Sequence, residues 1–254
     1  MLHCARQVRG GDSSRILICL LALWMMLGAG QAWSASDPVG KAESLKGNVA
    51  VDREGASGPA AVNDPVYLRD TWKTQAESGA ELVFLDDSRI QMGPMASLEI
   101  TEYLYKPEEK TREGLISMMS GKVRFVVQDL QDYKQKRMRV QTQTAVVGTR
   151  GTAFIVWVVS PEITRVLGVS NDIDFCNARI PGACVTVSPN MTSEVRVSLP
   201  PTLPVVAPPE VIKEITRGVE RTADTPTPPA PPPPPPSTPP EVSQTYDPTV
   251  SISK

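Results

Sequence analysis

Val140–Val159 reads VQTQTAVVGTRGTAFIVWVV, and the fold is decided on this stretch. Valine, threonine and aromatic residues dominate it, the composition of a pleated, half-buried strand. Gly148-Thr149-Arg150-Gly151 breaks the run in its middle. Glycines three apart permit a tight bend or a close backbone approach. Arg150 stands between apolar segments, where a charge is costly unless it is paired.

Short segments of the same kind extend outward in both directions. Upstream, Lys46–Arg53 is punctuated by Gly47 and Gly55, and Gly79–Phe84 and Arg89–Met92 flank the turn Asp86-Asp87-Ser88. Leu98–Tyr105 alternates, with Leu98, Ile100 and, after Glu102, Leu104 expected on one side. In Gly121–Val127, Val123, Phe125 and Val127 fall on one face and Lys122 and Arg124 on the other. Phe154–Val159 is nearly continuous in apolar residues, as expected of a strand covered on both faces. Thr164–Val169, Val185–Val187 and Val195–Leu199 complete the series. The predicted domain therefore spans 39–199, with its centre at 66–159, and is all-β. The strands follow one another too closely for alternating βαβ units. A sandwich and an irregular β-solenoid of stacked short strands both remain open, and the absence of a strict repeat period counts against a regular solenoid.

Outside that domain the composition changes twice. Arg6, Arg9 and Arg15 precede the apolar stretch Ile16–Leu27, a secretory layout with a small-x-small site at Ala32-Trp33-Ser34. Residues 1–34 are read as a signal peptide cleaved after Ser34, which predicts a periplasmic or secreted protein. The alternative is an uncleaved anchor, through which alone the chain would meet a membrane. After Leu199, 16 of the 25 prolines fall between Pro200 and Pro240. Residues 200–225 read as a linker, holding a possible short helix at 209–221 with the stripe Val211, Ile212, Ile215 and Val219. Residues 226–254 read as a disordered, proline-rich tail in which Pro231–Pro236 favours polyproline II.

Cleavage would also remove His3, the sole histidine, together with Cys4 and Cys19. The remainder keeps 23 of 26 basic and 27 of 28 acidic residues, a net charge of −4 that offers no footprint for nucleic acid. Without histidine there is no Ser-His-Asp or Cys-His arrangement and no histidine-based metal site. No glycine-rich phosphate loop precedes a helix. The chain is therefore expected to be no enzyme and to carry no cofactor and no metal. The two remaining cysteines, Cys176 and Cys184, flank a turn and are expected to form a disulfide in an exported protein.

Thr142, Ala145, Val147, Arg150, Gly151, Thr152 and Phe154 follow the pattern T-x-x-A-x-V-x-x-R-G-T-x-F, in which the chain resembles the FecR domain. Three further segments are similar to that family. Leu68–Thr74 resembles its G-D-x-I-x-T-G entry with Arg69 in place of the first glycine and Gln75 in place of the second, and Ser78–Met92 its hairpin with Asp87 at the usual turn glycine. Leu115–Val127 resembles its L-x-x-G-x-V run. The resemblance implies a periplasmic module of stacked short strands and favours the solenoid-like arrangement. FecR-type regulators join this domain to a cytoplasmic anti-sigma region and a transmembrane helix. Only 15 residues precede the apolar segment here, so the sigma-regulating role is not expected to transfer. The expected function is a non-catalytic binding or scaffold module whose partner is an envelope protein or a cell-wall polymer. The alternatives are a periplasmic signal-transduction subunit, contacting an outer-membrane receptor or a membrane regulator, and a binder of peptidoglycan or polysaccharide.

Several side chains invite a sharper assignment. Arg150 is expected to clasp strand-end carbonyls or the turn carboxylates Asp86 or Asp87, so that Arg150→Ala would lower the melting temperature. Glu99, Glu102, Glu108, Glu109 and Glu113 lack the spacing of a calcium loop and read as a solvated face. Lys134, Lys136, Arg137 and Arg139 read as a surface loop, and Trp72 and Trp157 as core.

Overall fold

The structure, a computed structural model, describes residues 37–219. The expected signal peptide and its cleavage point lie outside the described residues, as does the proline-rich tail. Seventeen strands and one helix make up the described part. In chain order they are β1 (Gly40–Lys46), β2 (Val49–Arg53), β3 (Ala56–Pro59), β4 (Pro65–Val66), β5 (Thr71–Thr74) and β6 (Gly79–Phe84). Next come β7 (Arg89–Met92), β8 (Ser97–Lys106), β9 (Thr111–Val126), β10 (Gln135–Gln141), β11 (Ala145–Thr149) and β12 (Ala153–Ser160). The chain closes with β13 (Ile163–Ser170), β14 (Ile173–Asn177), β15 (Cys184–Val187), β16 (Met191–Arg196), β17 (Val205–Val206) and α1 (Pro209–Thr216).

The strands form two open sheets. The first runs β4-β1-β6-β7-β9-β12-β13-β16-β17. The second runs β3-β2-β5-β8-β9-β10-β11-β14-β15. Strand β9 belongs to both, because it bends at Gly121. That residue has φ +84°, and a Cβ there would come within 2.4 Å of the Ala96 Cα. Neighbours are antiparallel except β9 and β10, which run parallel with Thr111 opposite Gln135 and Ser117 opposite Gln141.

As it advances the chain passes back and forth between the sheets, from β1 to β2–β3, back to β4, on to β5, back to β6–β7, and, after β8–β11, through β12–β13 and β14–β15 to β16–β17. The two arrangements left open by the sequence thus coincide. The molecule is a sandwich assembled by stacking short steps. Leu82, Phe84, Ile90, Phe125, Phe154 and Val166 of the first sheet meet Trp72, Leu98, Ile100, Ile116, Val140 and Phe175 of the second in one continuous core.

Local departures from the expected strands have physical causes. Lys46–Arg53 is not one strand, because Gly47 turns at φ +67° and separates β1 from β2. In β8 a bulge shifts the register between Ile100 and Glu102. Alternation therefore changes phase, Tyr103 enters the core, and Leu104, expected inside, is 42% exposed. Val195–Leu199 begins too late, since the strand is Met191–Arg196.

Phe154–Val159 falls within β12, and the cover on its outer face comes from the segment read as a linker. Residues 200–219 lie against the first sheet: β17 pairs with β16, and Ile215 and Val219 pack on Ile155 and Leu167. The helix is Pro209–Thr216, shorter than the stripe suggested, with proline in its first turn and no side-chain cap. A helix of this length depends on packing rather than on propensity. Among the described residues no helix is long and apolar enough to cross a membrane.

Candidate functional site

The Thr142–Phe154 run occupies the turn between β10 and β11, all of β11, and the crossing into β12. Thr142 Oγ1 accepts hydrogen bonds from the Thr144 and Ala145 backbone amides at 3.2 and 2.9 Å. The Thr142 and Thr144 hydroxyls both meet the Thr164 hydroxyl, at 2.8 and 2.7 Å, joining the second sheet to β13 of the first. Ala145, Val147 and Phe154 are buried, and Phe154 stacks on Phe125 at 5.1 Å between ring centres. Thr152 is buried, and its carbonyl accepts from the Val127 amide at 2.9 Å. Gly151 sits at φ +144°, and a Cβ there would approach the Asp129 Cα to 2.6 Å. Glycine is required at that crossing.

Arg150 is the exception. It is exposed, and among the described residues its side chain makes no hydrogen bond or ion pair. The expected clasp to Asp86 or Asp87 is absent, because the bend turns the guanidinium outward. Arg112 makes the contact instead. Its Nη1 donates to Asp86 Oδ2 at 2.8 Å and to the Gln128 carbonyl at 3.3 Å, and its Nη2 to the Lys136 carbonyl at 3.0 Å. Both side chains of the pair are fully buried. Ser88 closes the ring: its hydroxyl donates to Asp86 Oδ2 at 2.7 Å and its amide to Oδ1 at 3.1 Å. The Tyr103 hydroxyl accepts from the Asp86 amide at 3.1 Å, and burial, reinforced by the Asp86 carboxylate, holds that phenol well above its ordinary range.

Sequence reasoning missed Arg112, although a signal existed. In β9, positions 112, 114, 116 and 118 form the buried phase, so Arg112 continues the row of Gly114, Ile116 and Met118. A charge in that row must find a partner. At two of the positions where glycine is usual the backbone is left-handed, with Arg69 at φ +66° and Asp87 at φ +62°. At the first of these turns Asp70 is buried and accepts from Arg53 Nε and Nη2, each at 2.8 Å.

The other candidates are surface features or core. Glu102, Glu108, Glu109 and Glu113 are exposed and Glu99 is half-buried. No group of three or more potential metal ligands occurs among the described residues. Lys136 pairs with Asp129 at 2.7 Å and Arg139 reaches Glu102 at 3.7 Å, so the basic cluster is interleaved with acids. Trp72 is core, as expected, but Trp157 is only half-buried, lying on the outer face with Lys122 Nζ 4.3 Å from its ring centre. Cys176 and Cys184 face each other across β14 and β15 and are disulfide-bonded.

The family model described as FecR protein matches residues 70–170, from the start of β5 to the end of β13. No curated protein matches the chain. Two crystal structures of a candidate anti-sigma factor from Parabacteroides distasonis ATCC 8503 are similar at 15% and 16% identity, each with a TM-score of 0.45. Each match covers 58% of this chain, and 64% or 65% of the solved chain.

Proposed function

On the premise that residues 70–170 carry a FecR domain, we propose that the chain is a non-catalytic binding module of the bacterial cell envelope. The family match carries this reading. Within the matched segment the buried polar groups are consumed by the fold: Asp70 by Arg53, Asp86 by Arg112, and Thr142 by Thr164. Nothing in that arrangement leaves a nucleophile beside a base, whereas two open sheets and a half-exposed tryptophan leave surface for a partner. The secretory layout of residues 1–34 supports a periplasmic or secreted location with cleavage after Ser34. The FecR match also favours a second reading, in which binding serves signal relay and the partner is an outer-membrane receptor or a membrane regulator.

Cross-linking of the tagged full chain in intact cells tests both readings. The expected result is one defined envelope protein, recovered saturably, and a mature N-terminus at Ala35. Recovery of a receptor or membrane regulator would favour the signalling role. Binding to protein-free sacculi instead would move the assignment to cell-wall polymer, and the absence of any envelope partner would overturn the module itself.

A further inference from the structure

A cavity of about 620 Å³ opens on the outer side of the first sheet, between the β7–β8 turn and the chain leaving α1. Pro94, Met95 and Trp157 give it an apolar wall, and Lys122 and Arg217 stand along it. Its shape is built in by glycines. A Cβ on Gly93 would meet Val219 Cγ1 at 2.9 Å, and one on Gly218, at φ +86°, would meet Pro94 Cδ at 2.8 Å. Those close approaches hold the strap 217–219 against the turn and define the two sides. The volume lies within the range of small-ligand and peptide-side-chain sites, about 300–1,000 Å³.

Met95 is 63% exposed, so the apolar wall reaches solvent with no described residue over it. Lys122 Nζ bonds the Glu214 carbonyl, and Arg217 is exposed. Among the described residues no carboxylate lies within ion-pair distance of either cation. Lys122 is engaged by the Glu214 carbonyl and the Trp157 ring, whereas Arg217, beside an apolar wall that no described residue covers, complements an acidic group next to an apolar one. The wall is recessed rather than protruding, so it suits an inserted chain better than a flat bilayer.

We infer that this groove docks an extended peptide segment of a partner protein, one that places an acidic residue beside a proline or other apolar residue. The inference rests on the binding-module reading and names its contact surface. Arg217 holds the carboxylate, Pro94 receives the apolar side chain, and Met95 adapts to its shape, with Trp157 kept in place by Lys122 over its ring.

Panning of a random octapeptide phage library on the full chain, with counter-selection on a Met95→Asp/Arg217→Glu variant, tests this. Both positions are exposed, so the variant should keep the wild-type melting temperature. Enriched peptides should pair an acidic residue with an adjacent apolar one and bind the variant at least tenfold more weakly. Failure to enrich over the variant, or enrichment without acidic residues, would overturn the groove assignment. Sedimentation with phosphatidylglycerol vesicles that depends on the same two residues would assign the surface to lipid and overturn it as well. An envelope partner cross-linked equally by wild type and variant would preserve the module while removing its groove.

Discussion

Two arginine-bearing regions touch the same short segment and behave in opposite ways. Arg112 donates to the Gln128 carbonyl, and Gly151, next to Arg150, packs against the Asp129 Cα. Arg112 is sealed from solvent with Asp86, while Arg150 is exposed and has no partner among the described residues. The distinctive motif surrounds Arg150, yet the charge that ties the fold together is Arg112. Distinctiveness in the motif reflects the shape of a crossing, set by Gly151 and the threonine hydroxyls. Electrostatic work is done where burial raises the value of a charge-assisted hydrogen bond.

That contrast is open to mutation. Arg112→Ala strands a buried carboxylate and should destabilise by about 3–5 kcal/mol in urea unfolding. Gly151→Ala places a Cβ against Asp129 at a strained φ, with an expected cost of about 1–3 kcal/mol in the same assay. The Cys176→Ala/Cys184→Ala variant releases a short loop and should lose about 2–3 kcal/mol, with wild type under reductant matching it. Ile215→Ser should detach α1 and raise hydrogen exchange in Ile155 and Leu167 more than it lowers the global melting temperature. Arg150→Ala should change stability by no more than about 0.5 kcal/mol. A large effect at Arg150 would erase the distinction between the two regions.

How much was legible depended on how local the cause was. The hairpin of β6 and β7 around Asp86-Asp87-Ser88 could be read because turn chemistry and period-2 alternation sit within fourteen residues of each other. The disulfide followed from two cysteines across one turn. The partners of β9 could not be read in that way. Its parallel pairing with β10 and its passage between sheets depend on contacts remote in sequence and on Gly121. The β8 bulge inverted an alternation that otherwise looked regular, which sent Leu104 to the surface. Proline density made residues 200–219 resemble a linker, although Ile215 and Val219 supply an apolar stripe with a surface to cover. The groove escaped sequence reasoning because its walls come from the β7–β8 turn, β9, β12 and the chain after α1.

The most direct test is a pair of double-mutant cycles that share one carboxylate, Asp86→Asn with Arg112→Met and Asp86→Asn with Arg150→Ala. The first should show a coupling of at least about 1 kcal/mol, as expected for residues in one buried network. The second should be additive within about 0.5 kcal/mol. Additivity between Asp86 and Arg112 together with coupling between Asp86 and Arg150 would contradict the account.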